Sequence, residues 1–109
     1  MRILKAAENY LEIILVENAR LGQVRSIDVC KALNYSKPTV SIMMKQLREN
    51  GYITMDTHGY ITLTPKGAEI AEKIYERHII LSSWLMDLGV DQETAYADAC
   101  KIEHELSDI

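Results

Sequence analysis

Leu4, Ala7, Leu11, Ile14 and Leu15 recur at the three- and four-residue spacing of one helical face, which predicts an amphipathic helix over residues 3–18. Gly22 and its polar neighbours interrupt that pattern. Ser26 is a good N-cap for a short second helix, Ile27 to Leu33. Asp28 then sits in its first turn, where a carboxylate meets the positive end of the helix dipole. Asn34 and Tyr35 form a turn. Ser36 caps a third helix in which Pro38 is tolerated, because the N–H it lacks has no partner in a first turn. That helix stops at Asn50-Gly51, a left-handed C-terminal signal.

The period then changes from helical to alternating. Tyr52-Ile53-Thr54-Met55 and Tyr60-Ile61-Thr62-Leu63 are rich in β-branched and aromatic residues and are joined by Asp56-Thr57-His58-Gly59, which predicts a small hairpin. Thr64-Pro65 caps and opens a helix of about six turns, with Ala71, Ile74, Tyr75, His78, Leu81, Leu85 and Leu88 on its apolar stripe. Asp91 caps a last helix whose core face is Ala95, Ala99, Ile102 and Leu106. The predicted fold is mainly α with a small β-hairpin. Residues 1–63 form a winged helix-turn-helix, and residues 64–109 a helical region that ends abruptly at Ile109, as in a shortened or compact variant.

A length of 109 residues allows a real core yet leaves a chain that gains from dimerisation. No apolar run is long enough to span a membrane, and Met1-Arg2-Ile3-Leu4-Lys5 lacks the features of a signal peptide. Cys30 and Cys100 stand alone, which fits a reducing cytoplasm better than a disulfide framework. The net charge of −4 is unevenly spread. Residues 20–63 carry six basic groups against three acidic, whereas residues 64–109 carry four basic and ten acidic. The electropositive part is the helix-turn-helix itself, the footprint of a nucleic-acid reader, and its acidic flank opposes DNA unless cations neutralise it.

In such a motif the second helix enters the major groove with its N-terminal residues foremost. Here these are Ser36, Lys37, Pro38, Thr39 and Ser41, with Arg25, Lys45, Arg48 and the wing tip near His58 as phosphate candidates. Few forked side chains are available for bidentate guanine reading, so shape and phosphate contacts carry more of the expected recognition.

Cys100, Glu103 and His104 fall at i, i+3 and i+4, on one stripe of the last helix. A thiolate, a carboxylate and an imidazole together suit Fe²⁺, Co²⁺, Ni²⁺ or Zn²⁺ better than Mg²⁺ or Ca²⁺. Three groups leave coordination incomplete. His78 offers a second nitrogen, and Asn9 and Glu12, at i and i+3 of the first helix, offer oxygens.

Several stretches resemble the diphtheria toxin repressor and manganese transport regulator family of metal-dependent repressors. They are Glu8-Asn9-Tyr10-Leu11-Glu12, Val24-Arg25-Ser26-Ile27-Asp28, Ser36-Lys37-Pro38-Thr39-Val40-Ser41, Leu63-Thr64-Pro65-Lys66-Gly67, Arg77-His78 and the run from Ala99 to Asp108. The resemblance implies a winged helix, a metal-sensing and dimerising helical part, and a homodimer that binds an operator and represses metal-uptake genes. It places Asn9, Glu12, His78, Cys100, Glu103 and His104 at positions where the family puts metal ligands. Cys100 resembles the iron-responsive branch and Glu12 the manganese branch, so the expected ion is Fe²⁺ first and Mn²⁺ second, with Zn²⁺, Co²⁺ or Ni²⁺ as substitutes in vitro. Asn9 departs from the methionine or aspartate of the two branches. Ser82 and Tyr96 stand where the iron branch has a glutamate and a histidine of an ancillary site, which points to a weakened or absent second site.

The alternative is a winged-helix regulator that senses an oxidant through Cys100, or an organic ligand, without metal. An enzyme is not expected, since no independent general base or substrate pocket is legible.

Overall fold

A computed structural model of the chain describes residues 5–103. Helix α1 (Lys5–Leu21) continues to Leu21 rather than stopping at residue 18, and turns Ala7, Tyr10, Leu11 and Ile14 inward. Leu11 and Ile14 are completely buried, and each such side chain contributes about 1.5–3 kcal/mol.

Helix α2 (Ser26–Leu33) begins one residue before the predicted start. Arg25, not Ser26, is the residue before the first turn, because the Asp28 carboxylate reaches back to accept the Arg25 backbone N–H at 2.9 Å. Asn34 takes a left-handed φ of 58° and turns the chain into α3 (Lys37–Glu49). Ser36 caps α3 as predicted, its hydroxyl accepting the Thr39 backbone N–H at 3.4 Å and bonding the Thr39 hydroxyl at 2.8 Å. Val40, Met44 and Leu47 form the inward stripe of α3.

The hairpin is antiparallel. Strand β1 (Ile53–Met55) pairs with β2 (Ile61–Leu63), Ile53 opposite Leu63 and Met55 opposite Ile61. At the tip, the Asp56 carboxylate accepts the backbone N–H groups of His58 and Tyr60, both at 2.9 Å. The loop before α2 joins the wing as well, since Ile61 N–H donates to the Val24 carbonyl at 2.7 Å. These elements close on one core that runs through Leu11, Ile14, Val24, Val29, Val40, Met44, Ile53 and Ile61.

Helix α4 (Pro65–Asp87) follows Thr64, whose hydroxyl donates to the Gly51 carbonyl at 2.6 Å and accepts Gly67 N–H at 3.2 Å. Two compact units result, one ending at Ala71 and the other beginning at Glu72. In the second unit Ile74, Ala95 and Ala99 are buried as the periodicity predicts, and Leu81 and Leu85 are half-buried. Tyr75 and Leu88 are exposed instead, and Ser82 is buried, its hydroxyl satisfied by the Ile79 carbonyl at 3.2 Å. Leu106 lies outside the described residues. No described helix is long and apolar enough to cross a membrane.

Helix α5 (Gln92–Glu103) is capped by Asp91, whose carboxylate accepts Thr94 N–H at 3.0 Å. That hydrogen bond holds the Asp91 carboxyl below its ordinary range. A depressed folded-state pKa gives stability that is complete above the unfolded value and lost as pH falls through the folded one. The protection factor of the Thr94 amide, its exchange rate relative to the intrinsic rate at the same pH, should therefore fall in acid below the usual carboxylate range, and Asp91→Asn should flatten that dependence.

Candidate metal centre and nucleic-acid interface

With Val40, Met44 and Leu47 sealed inward, the opposite face of α3 is open. Ser36, Lys37, Pro38, Thr39, Ser41, Lys45 and Arg48 are all exposed there or at its start. Each candidate contact residue on the reading helix is thus free to meet a groove or a phosphate. Ile42 is exposed on the same face, a residue that the sequence reading passed over.

Arg25 has a second task. Its guanidinium lies 4.4 Å from the centroid of the Tyr60 ring, a cation–π contact between the start of α2 and the wing. The Arg25 side chain is exposed, so its outer N–H groups still face solvent while the ring fixes its direction. Arg48 reaches the wing too, with Nη1 at 4.0 Å from the Met55 sulfur. Lys66 was not a sequence candidate, yet its ammonium sits 4.4 Å over Tyr52 and donates to the Asn50 carbonyl at 3.3 Å. No short-range sequence signal finds these pairs, because the partners are distant along the chain.

The candidate metal donors are spread over three helices. Asn9 and Glu12 lie on α1, half-buried and buried respectively. His78 is on α4 and Cys100 on α5, both half-buried. Glu103 is the last residue of α5, and His104 lies outside the described residues. Among the described residues, no group of three or more His, Cys, Asp or Glu side chains comes together as a metal cluster.

Two local features bear on the donor set. Helix α1 buries two carboxylates. Glu17 is 8% exposed and paired with Arg20 at 2.5 Å, whereas Glu12 is 6% exposed and makes no hydrogen bond or ion pair with another described residue. A buried carboxylate without a partner is costly, and a cation is what its chemistry asks for. His78 is bracketed by aromatic rings, with Tyr75 at 6.5 Å and Tyr96 at 5.3 Å between centroids. Tyr96 is itself oriented by Gln92, whose amide donates to the phenol oxygen at 3.1 Å.

Two family profiles cover the chain between them. The iron dependent repressor N-terminal DNA binding domain matches residues 2–69, and the iron dependent repressor metal binding and dimerisation domain matches residues 64–109. The sequence is 38% identical over 108 residues to an uncharacterised HTH-type transcriptional regulator of Methanocaldococcus jannaschii, covering 95% of this chain and 85% of that protein. It is 35% identical over 100 residues to the transcriptional regulator MntR of Lysinibacillus sphaericus, covering 92% of this chain and 72% of that one. The structure superposes on the manganese regulator SloR with a TM-score of 0.80 at 28% identity, over 99% of this chain and 50% of SloR. The chain therefore spans about half the length of that solved regulator.

Proposed function

We propose, starting from the premise that this chain belongs to the iron-dependent repressor family that includes the diphtheria toxin repressor and the manganese transport regulators, that it is a cytoplasmic, metal-dependent repressor of metal-uptake genes. The matched relatives are transcriptional regulators, not enzymes. The observation that carries the metal part is Glu12, a buried carboxylate with no partner among the described residues.

The donors that would hold the ion are Asn9, Glu12, His78, Cys100, Glu103 and His104. Bound there, a divalent cation would supply positive charge and directional bonds to oxygen, nitrogen and sulfur. The residues do the rest. Glu12 ties the charge state of the set to the helix that packs beneath the reading head. His78 would offer an imidazole nitrogen beside the rings of Tyr75 and Tyr96. Ser82 is already bonded to the Ile79 carbonyl, and Tyr96 offers a phenol where an ancillary site needs an imidazole, so one ion per chain is the proposed stoichiometry.

Cys100 and Glu12 pull the metal preference in opposite directions. The thiolate favours a softer ion, while Glu12 and the manganese-regulator names of several relatives favour Mn²⁺. Divalent affinity rises from Mn²⁺ to Fe²⁺ for a given site, so Fe²⁺ is proposed as the tighter ligand and Mn²⁺ as its competitor.

A homodimer through the outer face of α4 and the residue just after it is the proposed assembly. Ile80, Trp84 and Leu88 are 67%, 56% and 64% exposed at successive four-residue steps, an apolar row that a monomer gains nothing by showing to water. The dimerisation domain profile covers this helix. Trp84→Glu should convert a dimer into a monomer in sedimentation velocity, and an unchanged sedimentation coefficient would remove this face from the interface.

In the dimer, two reading helices would address successive major grooves, about 34 Å apart. Ordering of the metal donors restricts how the heads are spaced, and a coupling of about 1–3 kcal/mol changes operator affinity about 5–150-fold. A DNA titration at fixed salt, anaerobic and reducing, with Fe²⁺, Mn²⁺ or chelator, tests the proposal. Operator affinity indifferent to all three would overturn it.

A further inference from the structure

We infer that Ile42 is a base-reading residue that recognises the 5-methyl group of thymine, an inference that rests on the DNA-binding reading above. Helix α3 separates cleanly into two faces. Val40, Met44 and Leu47 are at most 2% exposed, and the opposite face carries Pro38, Ser41, Lys45 and Glu49. On the 100° step of a helix, Ile42 falls at the middle of that outer face, beside Pro38 and Lys45. It is 61% exposed, the only large apolar side chain among the exposed described residues of α3.

An isoleucine there is hard to explain by folding. It is β-branched, so it is a poorer helix former than the lysine, glutamine or arginine nearby, and in the folded monomer it buries little surface. Its neighbours also restrict what can cover it. Pro38 lies one turn before it and the exposed Lys45 and Gln46 one turn after, so Ile42 is a single apolar group on a polar face, with too little apolar surface beside it to hold an apolar peptide. A DNA major groove offers one apolar feature to such a side chain, the thymine methyl, while cytosine presents an amino donor and no methyl at that edge. Ile42 has no hydrogen-bonding atom, so against cytosine it leaves a polar edge unsatisfied. The residue therefore discriminates by complementarity of apolar surface, in a helix otherwise short of forked guanine readers.

The test uses the full chain with Mn²⁺ and duplex DNA selected from a random pool. Each thymine of one half-site is replaced in turn by deoxyuridine, which deletes only the methyl, and affinity is read by fluorescence anisotropy at constant salt. At one or two positions the wild-type protein should lose about fourfold, the value of one buried methyl group. Ile42→Ala should lose a similar factor on the unmodified duplex, show no further loss on deoxyuridine at those positions, and keep its salt slope. Tolerance of deoxyuridine at every position, or a methyl effect that survives undiminished in Ile42→Ala, overturns the assignment of Ile42 alone. Absence of binding to any duplex overturns the DNA-binding reading as well.

Discussion

Gly67→Ala will destabilise the protein by about 3 kcal/mol and lower its melting temperature by about 15 °C. Gly67 lies in the first turn of α4 and is buried against the start of the wing. A Cβ at that position would overlap the Tyr52 carbonyl oxygen and lie 3.0 Å from its carbon. Neither atom can swing aside as a side chain does. The Tyr52 carbonyl accepts the Thr64 N–H at 3.1 Å, and Thr64 in turn holds Gly51 and Gly67. One methyl group would thus push apart the latch joining α3, the wing and α4. Gly59→Ala is the matching control. Gly59 has a φ of 84° but open space around it, so only the left-handed strain of about 1–2 kcal/mol is expected. Equal melting temperatures for the two variants would show that the close approach does not hold in solution.

Cys100→Ala will weaken Fe²⁺ binding by more than about 100-fold, since loss of even an outer partner of a metal ligand costs about 10–100-fold. Calorimetry under anaerobic, reducing conditions reads the loss directly. In Co²⁺-loaded protein the sulfur-to-cobalt charge-transfer band should vanish with it. Cys100→Glu should recover affinity but move preference towards Mn²⁺, because a carboxylate is a harder donor than a thiolate. Cys100 is half-buried at the described end of α5, between the buried Ala99 and the exposed Lys101, so neither change should cost much in folding. Wild-type Fe²⁺ affinity in Cys100→Ala would take this residue out of the donor set.

The parts of the fold that were readable in advance are those written in local chemistry. Ser36 and Asp91 cap their helices through bonds to residues three positions on, and the Asp56-Thr57-His58-Gly59 tip closes on its own aspartate. A serine was a poor guide at the start of α2. There the decisive partner was Asp28, which bonds the Arg25 backbone, and either residue type is compatible with the pattern. The contacts of Arg25 with Tyr60, of Val24 with Ile61 and of Gly67 with Tyr52 join distant segments, so no periodicity announces them. Tyr75 and Leu88 fall on the apolar stripe of the sequence yet are exposed, as is Trp84, because an exposed apolar side chain looks the same in sequence as a buried one.

The proposed metal donors divide in the same way. The i, i+3, i+4 spacing of Cys100, Glu103 and His104 is visible in the sequence, and His78 is visible as a histidine on an apolar stripe. The Glu17–Arg20 pair is legible too, at i and i+3 of one helix, whereas the burial of Glu12 shows only in the fold.

The central claim of the proposal is that the Glu12 carboxylate, as one of the proposed metal donors, couples metal to DNA. The direct measurement is the ratio of operator affinities with and without Mn²⁺ at fixed salt, for the wild type and for Glu12→Gln. The account predicts a ratio of about 5–150 for the wild type and a ratio near one for the variant, with the metal-free affinities equal. A Glu12→Gln protein that still gains the full wild-type factor from Mn²⁺ would contradict it.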